Sequence, residues 1–226
     1  MRGLSIVDMV QQDLEALYRI NTGVPVSAYV IDAHLLSLLT KGALGPERDR
    51  LLIGEEIPGH LDLAVYLHTS RLELLQDLDP RKRLGTGTLS ALLNVIEEVS
   101  HFVLVLWSNA EDRQLSHFDL ELQAEIDKYL LCCQYLLTQG LAFENILTAL
   151  ELVLFERFSL QLDLEEEELE RYQRSNQLAH AYIRHLRRTF VLGKLWHLMF
   201  EEARGFYRLS RMQKLAHIQR TTRRRF

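Results

Sequence analysis

Apolar positions recur along this chain with two different periods, and the change from one to the other divides it. Ile6, Val10, Leu14, Leu17 and Tyr18 recur at helical spacing and predict a first amphipathic helix over 6–20. Pro25 then opens the short apolar run Val26–Ile31, which reads as a strand. Arg50–Glu56 and Leu61–His68 are two further runs around Pro58-Gly59, a strong turn signal, and 61–67 alternates partly with period two. These predict a hairpin within a three-stranded antiparallel sheet inside residues 1–80. From residue 86 onward the period is helical. Thr88–Trp107 is the most apolar helix and the expected centre of a bundle. Ser116–Asp119 resembles a capping box ahead of a helix reaching Thr138, which Gly140 stops, and Ala142–Phe158 is a further helical run.

The clearest helix runs from about Asp163 to Phe190. Leu169, Tyr172, Asn176, Ala179, Ile183, Leu186 and Phe190 alternate steps of three and four along one seam. Lys194–Arg204 reads as a short helix ended by Gly205. Ser210–Gln213 opens a last helix to about Arg220 with a second capping-box pattern. The expected fold is therefore α+β and predominantly helical, with a small sheet layer over 1–80, a helical bundle over 86–226, and the two forming one compact unit.

Composition agrees with a globular chain. Of 226 residues, 47% are hydrophobic and 25% charged. The two cysteines, Cys132 and Cys133, are adjacent, which rules out an ordinary bridge between them and suits a reducing cytoplasm. The first residues reach Asp8 and Asp13 without a long apolar core, so no signal peptide is expected. Asn94, Glu97, Glu98 and His101 interrupt the most apolar stretch, so it reads as a buried helix and no transmembrane segment is expected.

Charge adds a second asymmetry. Residues 184–226 hold twelve Lys/Arg against Glu201 and Glu202, a formal +10 in a chain of −5. Arg184, Arg187 and Arg188 suit the C-terminal end of a helix that begins with Glu165–Glu168. Arg204, Arg208, Arg211 and Lys214, with the terminal Arg223, Arg224 and Arg225, are the candidate anion-binding or partner-binding residues. Arginine forks suit phosphate and carboxylate, and Phe206 and Tyr207 are placed to stack on bases. An acidic protein is the expected partner, with nucleic acid or a membrane surface as alternatives. The opposing expectation is that these cations close onto acids of the same chain.

Chemistry is otherwise sparse. Ser90, Asn94, Glu97, Glu98 and His101 form a polar stripe on the most apolar helix. Buried carboxylates must be solvated, paired or metal-bound. Glu98-x-x-His101 has the spacing used in di-iron helical bundles, but no second Glu-x-x-His follows; Glu121, Glu125, Glu144, Glu151 or His180 would have to complete a centre. Residues 81–88, Arg-Lys-Arg-Leu-Gly-Thr-Gly-Thr, hold the ingredients of an anion site at a helix start without a Walker or dinucleotide pattern. Asn176 lies in its helix seam, where a buried amide fixes register. No nucleophile motif is present, and Cys133 falls on an apolar face.

Three stretches, Ile96–Phe102, Leu120–Tyr129 and Gly205–Ser210, resemble a bacterial hypothetical-protein family of similar length. The resemblance implies a bacterial, cytoplasmic protein and brings no catalytic residue or cofactor with it. The expectation from sequence is a non-catalytic cytoplasmic interaction protein with a basic C-terminal corner. The alternatives are a metal-dependent helical-bundle enzyme centred on Glu98 and His101, and a nucleic-acid-binding protein.

Overall fold

A computed structural model describes residues 4–55, 60–156 and 166–223. The chain divides into two compact units, residues 1–15 with 20–114, and residues 16–19 with 115–226. It is α+β and predominantly helical, with nine α-helices and a three-stranded sheet among the described residues.

In the first unit, helix α1 (Ile6–Tyr18) contributes all but its last turn. The sheet has the order β1-β3-β2, with β1 at Val30–Ile31, β2 at Arg50–Gly54 and β3 at Asp62–Tyr66. The hairpin pairs β2 with β3 antiparallel, from Arg50 opposite Tyr66 to Gly54 opposite Asp62; its Pro58-Gly59 turn lies outside the described residues. The all-antiparallel expectation is corrected at β1, which pairs with β3 in parallel, Val30 opposite Val65. β1 is joined to the hairpin by a long connection containing α2 (Ala33–Leu39), and a crossover of that length permits parallel pairing. The strand expected over 26–31 shrinks to two residues. Pro25, at φ −78°, turns Val26–Tyr29 into a 3₁₀ turn, with Ala28 N–H donating to the Pro25 carbonyl. Asp32 caps α2 by accepting from Leu35 N–H at 2.8 Å.

Helix α3 (Thr69–Leu75) and helix α4 (Thr86–Ala110) complete this unit, and α4 packs on α3, β2 and β3. The most apolar helix is thus a sheet-packing helix of the first unit, and the boundary falls near 114 instead of 80. Its apolar residues are drawn to the one apolar face a small sheet offers. Among the described residues α4 is the one helix long and apolar enough to cross a membrane by length and composition. Its most apolar window has a mean hydropathy of 1.6 and is 67% buried within the protein, as a core helix is.

The second unit is all-helical. Helix α5 (His117–Thr138) starts at the expected capping box, Ser116 and Asp119 each accepting from the other's backbone N–H. Every residue from Asp119 to Cys133 is buried. It packs chiefly on α7 (Glu166–Leu186), whose seam residues Asn176, Ala179, Ile183 and Leu186 are buried as expected. Helix α6 (Glu144–Glu151) runs into a π-helical turn, Leu152–Glu156, and α7 into another, Arg187–Val191. Helix α8 (Trp196–Tyr207) passes through Gly205 and does not stop there. Burial of Phe206 and Tyr207 outweighs the ~1 kcal/mol propensity cost of an interior glycine. The corner comes at 208–210, and α9 (Arg211–Arg223) follows, with the Gln213 side chain accepting from Ser210 N–H at 2.9 Å.

Candidate metal centre

Helix α4 carries the adjacent acids Glu97 and Glu98, of which Glu98 is buried. Glu98 and His101, one turn apart, are both buried, and Glu98 Oε2 lies 3.6 Å from His101 Nδ1. That distance is too long for a hydrogen bond, and Glu98 Oε2 makes none among the described residues. Burial pushes the Glu98 carboxyl above its ordinary range. His101 opposes that rise, and the charges of Glu97 and Asp49 add to it.

Asp49, which precedes β2, lies close enough for its charge to act on Glu98. It is the neighbour in sequence of Arg50, which pairs with Tyr66 at the end of the sheet. Asp49 Oδ1 accepts from His68 N–H at 2.6 Å and from Arg71 Nη1 at 2.9 Å, the latter reaching from α3. Its Oδ2 is buried and makes no hydrogen bond among the described residues. Burial raises its carboxyl despite His68 and Arg71, and Glu97 adds to the rise. Asp49, Glu97 and Glu98 therefore repel one another, and Arg71 pairs with Asp49. Glu98 and His101 offer one oxygen and one nitrogen donor a helical turn apart, a pairing suited to Mn²⁺, Fe²⁺ or Zn²⁺. Asp49 carried no sequence signal, because its role depends on where the sheet ends.

The acids expected to complete a Glu98/His101 centre lie in the second unit, where several have local partners. Glu125 accepts from Lys128 Nζ at 2.7 Å and from Asn176 Nδ2 at 3.3 Å. Asn176 also donates to the Leu154 carbonyl in the π-helical turn, which is the register-fixing role its seam position implied. Glu151 accepts from His180 Nε2 at 2.8 Å and from Arg187. Glu121 is buried and Glu144 exposed. In the first unit, the basic loop before α4 is partly engaged too, since Arg81 Nε donates to both Asp13 carboxylate oxygens, at 3.1 and 3.0 Å.

The candidate partner-binding cations have neighbours inside the second unit. Arg204 Nε donates to the Leu17 carbonyl at 2.6 Å, and Arg208 Nη2 to the Tyr18 carbonyl at 2.8 Å. Both contacts satisfy carbonyls at the C-terminal end of α1, whose last turn has no basic residue of its own. Arg204 also pairs with Glu201. Arg211 grips Asp119 through Nε and Nη2, the shortest contact being 2.7 Å. Lys214 is buried, donates to Gln123 Oε1 at 2.7 Å and lies over the rings of Phe206 and Tyr207. Tyr207 stacks on Tyr18 at 3.9 Å, so neither ring of the 206–207 pair is an open stacking platform. Arg223 closes α9, and Arg224 and Arg225 lie outside the described residues.

No family model, curated protein or solved structure matches this chain. The functional argument therefore rests on the geometry of the side chains.

Proposed function

We propose that this protein is a metal-dependent enzyme whose first unit binds a divalent cation through Asp49, Glu98 and His101. The observation that carries the reading is the pair of buried carboxylate oxygens, Asp49 Oδ2 and Glu98 Oε2, that make no hydrogen bond among the described residues. Burying an unpartnered carboxylate oxygen is costly, and a bound cation would offset that cost. Like-charge repulsion supports the same reading. Asp49 and Glu97 both act on Glu98 by like charge, a repulsion that a bound cation would relieve. The bound ion would act as a Lewis acid and lower the pKa of a bound water. The centre would lie on a sheet-packing helix, not in a helical bundle.

The partner-binding reading draws less from the geometry, because Arg204, Arg208, Arg211 and Lys214 all have uses within the second unit. Elemental analysis of untagged protein, purified with manganese, iron and zinc supplied, tests the proposal. One equivalent of metal, lost in Asp49→Asn and Glu98→Gln, is the expected result. Absence of metal in the folded wild type, or full retention in both variants, would overturn it.

A further inference from the structure

The second unit holds a separate convergence of ligating atoms. His185 lies in the last turn of α7, Glu202 in α8 and His217 in α9, so three helices each present one side chain. One ligand atom from each lies within 4.8 Å of the other two. The corner between α8 and α9 brings Glu202 and His217 together across fifteen residues of sequence.

The contact between those two does not have the geometry of an ordinary His–Glu pair. His217 Nε2 is 2.8 Å from Glu202 Oε1. Yet that nitrogen is buried and has no aligned hydrogen-bond partner among the described residues. A ring N–H engaged with the carboxylate would point along the line between them. Two donor atoms at this separation without that alignment are placed as ligands of a common ion are placed. Tetrahedral ligands at the usual metal–nitrogen and metal–oxygen distances sit about 3.3 Å apart. The 4.8 Å limit exceeds this by an amount that small side-chain rotations close.

The surroundings hold the imidazoles in place. The ring of His217 meets Tyr182, Phe206 and His185 edge-on, with centroids 5.9, 5.7 and 6.1 Å away. His185 Nδ1 is 3.2 Å from Thr189 Oγ1, a contact that orients this ring as second-sphere partners orient metal-bound histidines. Tyr182 stacks on Phe206 at 4.0 Å and is fully buried, yet its hydroxyl has no hydrogen-bond partner among the described residues. Glu202 lies near enough for its charge to act on that hydroxyl. The Tyr182 hydroxyl and His217 Nε2, on two helices whose rings meet, are thus buried polar atoms without an aligned hydrogen bond among the described residues. His185, Glu202 and His217 are themselves half-buried.

We propose that His185, Glu202 and His217 form a second metal centre, binding a divalent transition metal such as Zn²⁺ or Fe²⁺ and leaving further coordination positions to water or a small ligand. Two imidazoles and one carboxylate select such ions over Mg²⁺ and Ca²⁺, which prefer all-oxygen sites. With three protein ligands, the centre is of the open kind that supports chemistry, not the closed four-ligand kind that only holds a fold. It shares no residue with the centre in the first unit and does not depend on it.

The test uses the full untagged chain, stripped with a chelator. Zn²⁺ is titrated by calorimetry, and Co²⁺ is added in parallel for its visible absorption. The wild type should bind two equivalents of zinc. His185→Gln, Glu202→Gln and His217→Gln should each lose one, with affinity weakened at least about 100-fold, since even second-sphere partners cost about 10–100-fold. Glu98→Gln should keep this equivalent and its cobalt spectrum. Circular dichroism shows whether each variant is folded. His185→Gln, furthest from the Phe206 packing, carries the test should His217→Gln fail to fold. Unchanged stoichiometry and affinity in folded His185→Gln and Glu202→Gln would overturn the proposal. A single wild-type equivalent lost in Glu98→Gln but kept in His185→Gln would also overturn it, while leaving the first-unit centre standing. A single equivalent with the opposite pattern would support this centre and sink the other.

Discussion

Replacing Arg211 by alanine tests directly whether the basic corner is part of the fold. Arg211 donates through Nε and Nη2 to Asp119, whose side chain is only 8% exposed while that of Arg211 is 45% exposed. A hydrogen bond to a charged group contributes roughly 1.5–3 kcal/mol. Solvent screening of the half-exposed guanidinium argues for the low end, about 1.5 kcal/mol. Asp119 also accepts from Ser116 N–H at 2.9 Å and Ser116 Oγ at 2.7 Å, so Asp119→Ala removes the capping box as well, worth about 1 kcal/mol more. For a chain of this length each kcal/mol moves Tm by roughly 2–4 °C. Thermal unfolding followed by circular dichroism at pH 7 should therefore show losses of about 3–6 °C for Arg211→Ala and about 5–10 °C for Asp119→Ala. The double variant should unfold close to Asp119→Ala alone, because the two residues share one interaction. An unchanged Tm in Arg211→Ala, with additive effects in the double variant, would refute the internal role and return Arg211 to the set of cations free for a partner.

Three further outcomes follow from other buried groups. Burial pushes Asp119 and Glu151 up, but Arg211 and Ser116 for the first, and His180 and Arg187 for the second, outweigh it and hold both carboxyls below their ordinary range. Their stabilisation is present above the unfolded carboxylate values of about 4 and is lost as pH falls through the lower folded ones. Asp119→Asn with Glu151→Gln should flatten the acid limb of the Tm–pH curve, and an unchanged limb would contradict the pairing. Glu98 is the opposite case: burial raises it, so the folded protein binds this proton more tightly, and its contribution is lost as pH rises from the unfolded value toward the folded one. Metal-free Glu98→Gln should be more stable than metal-free wild type at pH 7 while losing stabilisation by added Mn²⁺ or Zn²⁺; equal Tm values without metal would speak against the buried charge. Burial pushes the Cys133 thiol up to about 12 and raises Cys132 as well, so neither should react with a disulfide reagent in the native state. Prompt native-state labelling would show that α5 is not the buried centre of its unit.

The helices were legible wherever burial follows a single face or a cap is local. Ser116 with Asp119 fixes the start of α5 within four residues, and the seam of α7 survives as a buried stripe. Helix α2 had no such signal: it buries only Leu36 of its seven residues, so its apolar positions show no helical face. The parallel pairing of β1 depends on where the chain returns after α2, which no periodicity encodes. The candidate sites separate in the same way. Glu98 and His101 stood out because they interrupt an apolar helix, a local contrast. Asp49 acts on Glu98 by its charge from the residue before β2, and His185, Glu202 and His217 meet through helix packing. None of these four has a sequence neighbour that marks it.

The charge asymmetry takes on a different meaning once its contacts are traced. Arg204 in α8 and its C-cap Arg208, still in helical conformation, are four residues apart and therefore share a face. That face supplies donors to Leu17 and Tyr18, the last carbonyls of α1, a helix with no basic residue in its own last turn. The chain thus caps the end of its first helix with cations from its eighth. Arginine suits the task because a planar fork can bond two acceptors at once, as Arg208 does with the Arg204 and Tyr18 carbonyls. Arg211 then secures the start of α5 through Asp119, and Lys214 secures its next turn through Gln123. These successive cations thus serve two elements in pairs, Arg204 and Arg208 the end of α1 and Arg211 and Lys214 the start of α5. A basic run that holds a fold together should tolerate lysine at Arg211 poorly but not alter binding to any polyanion. A basic run that captures a partner should tolerate lysine well, because an anionic surface reads charge before geometry.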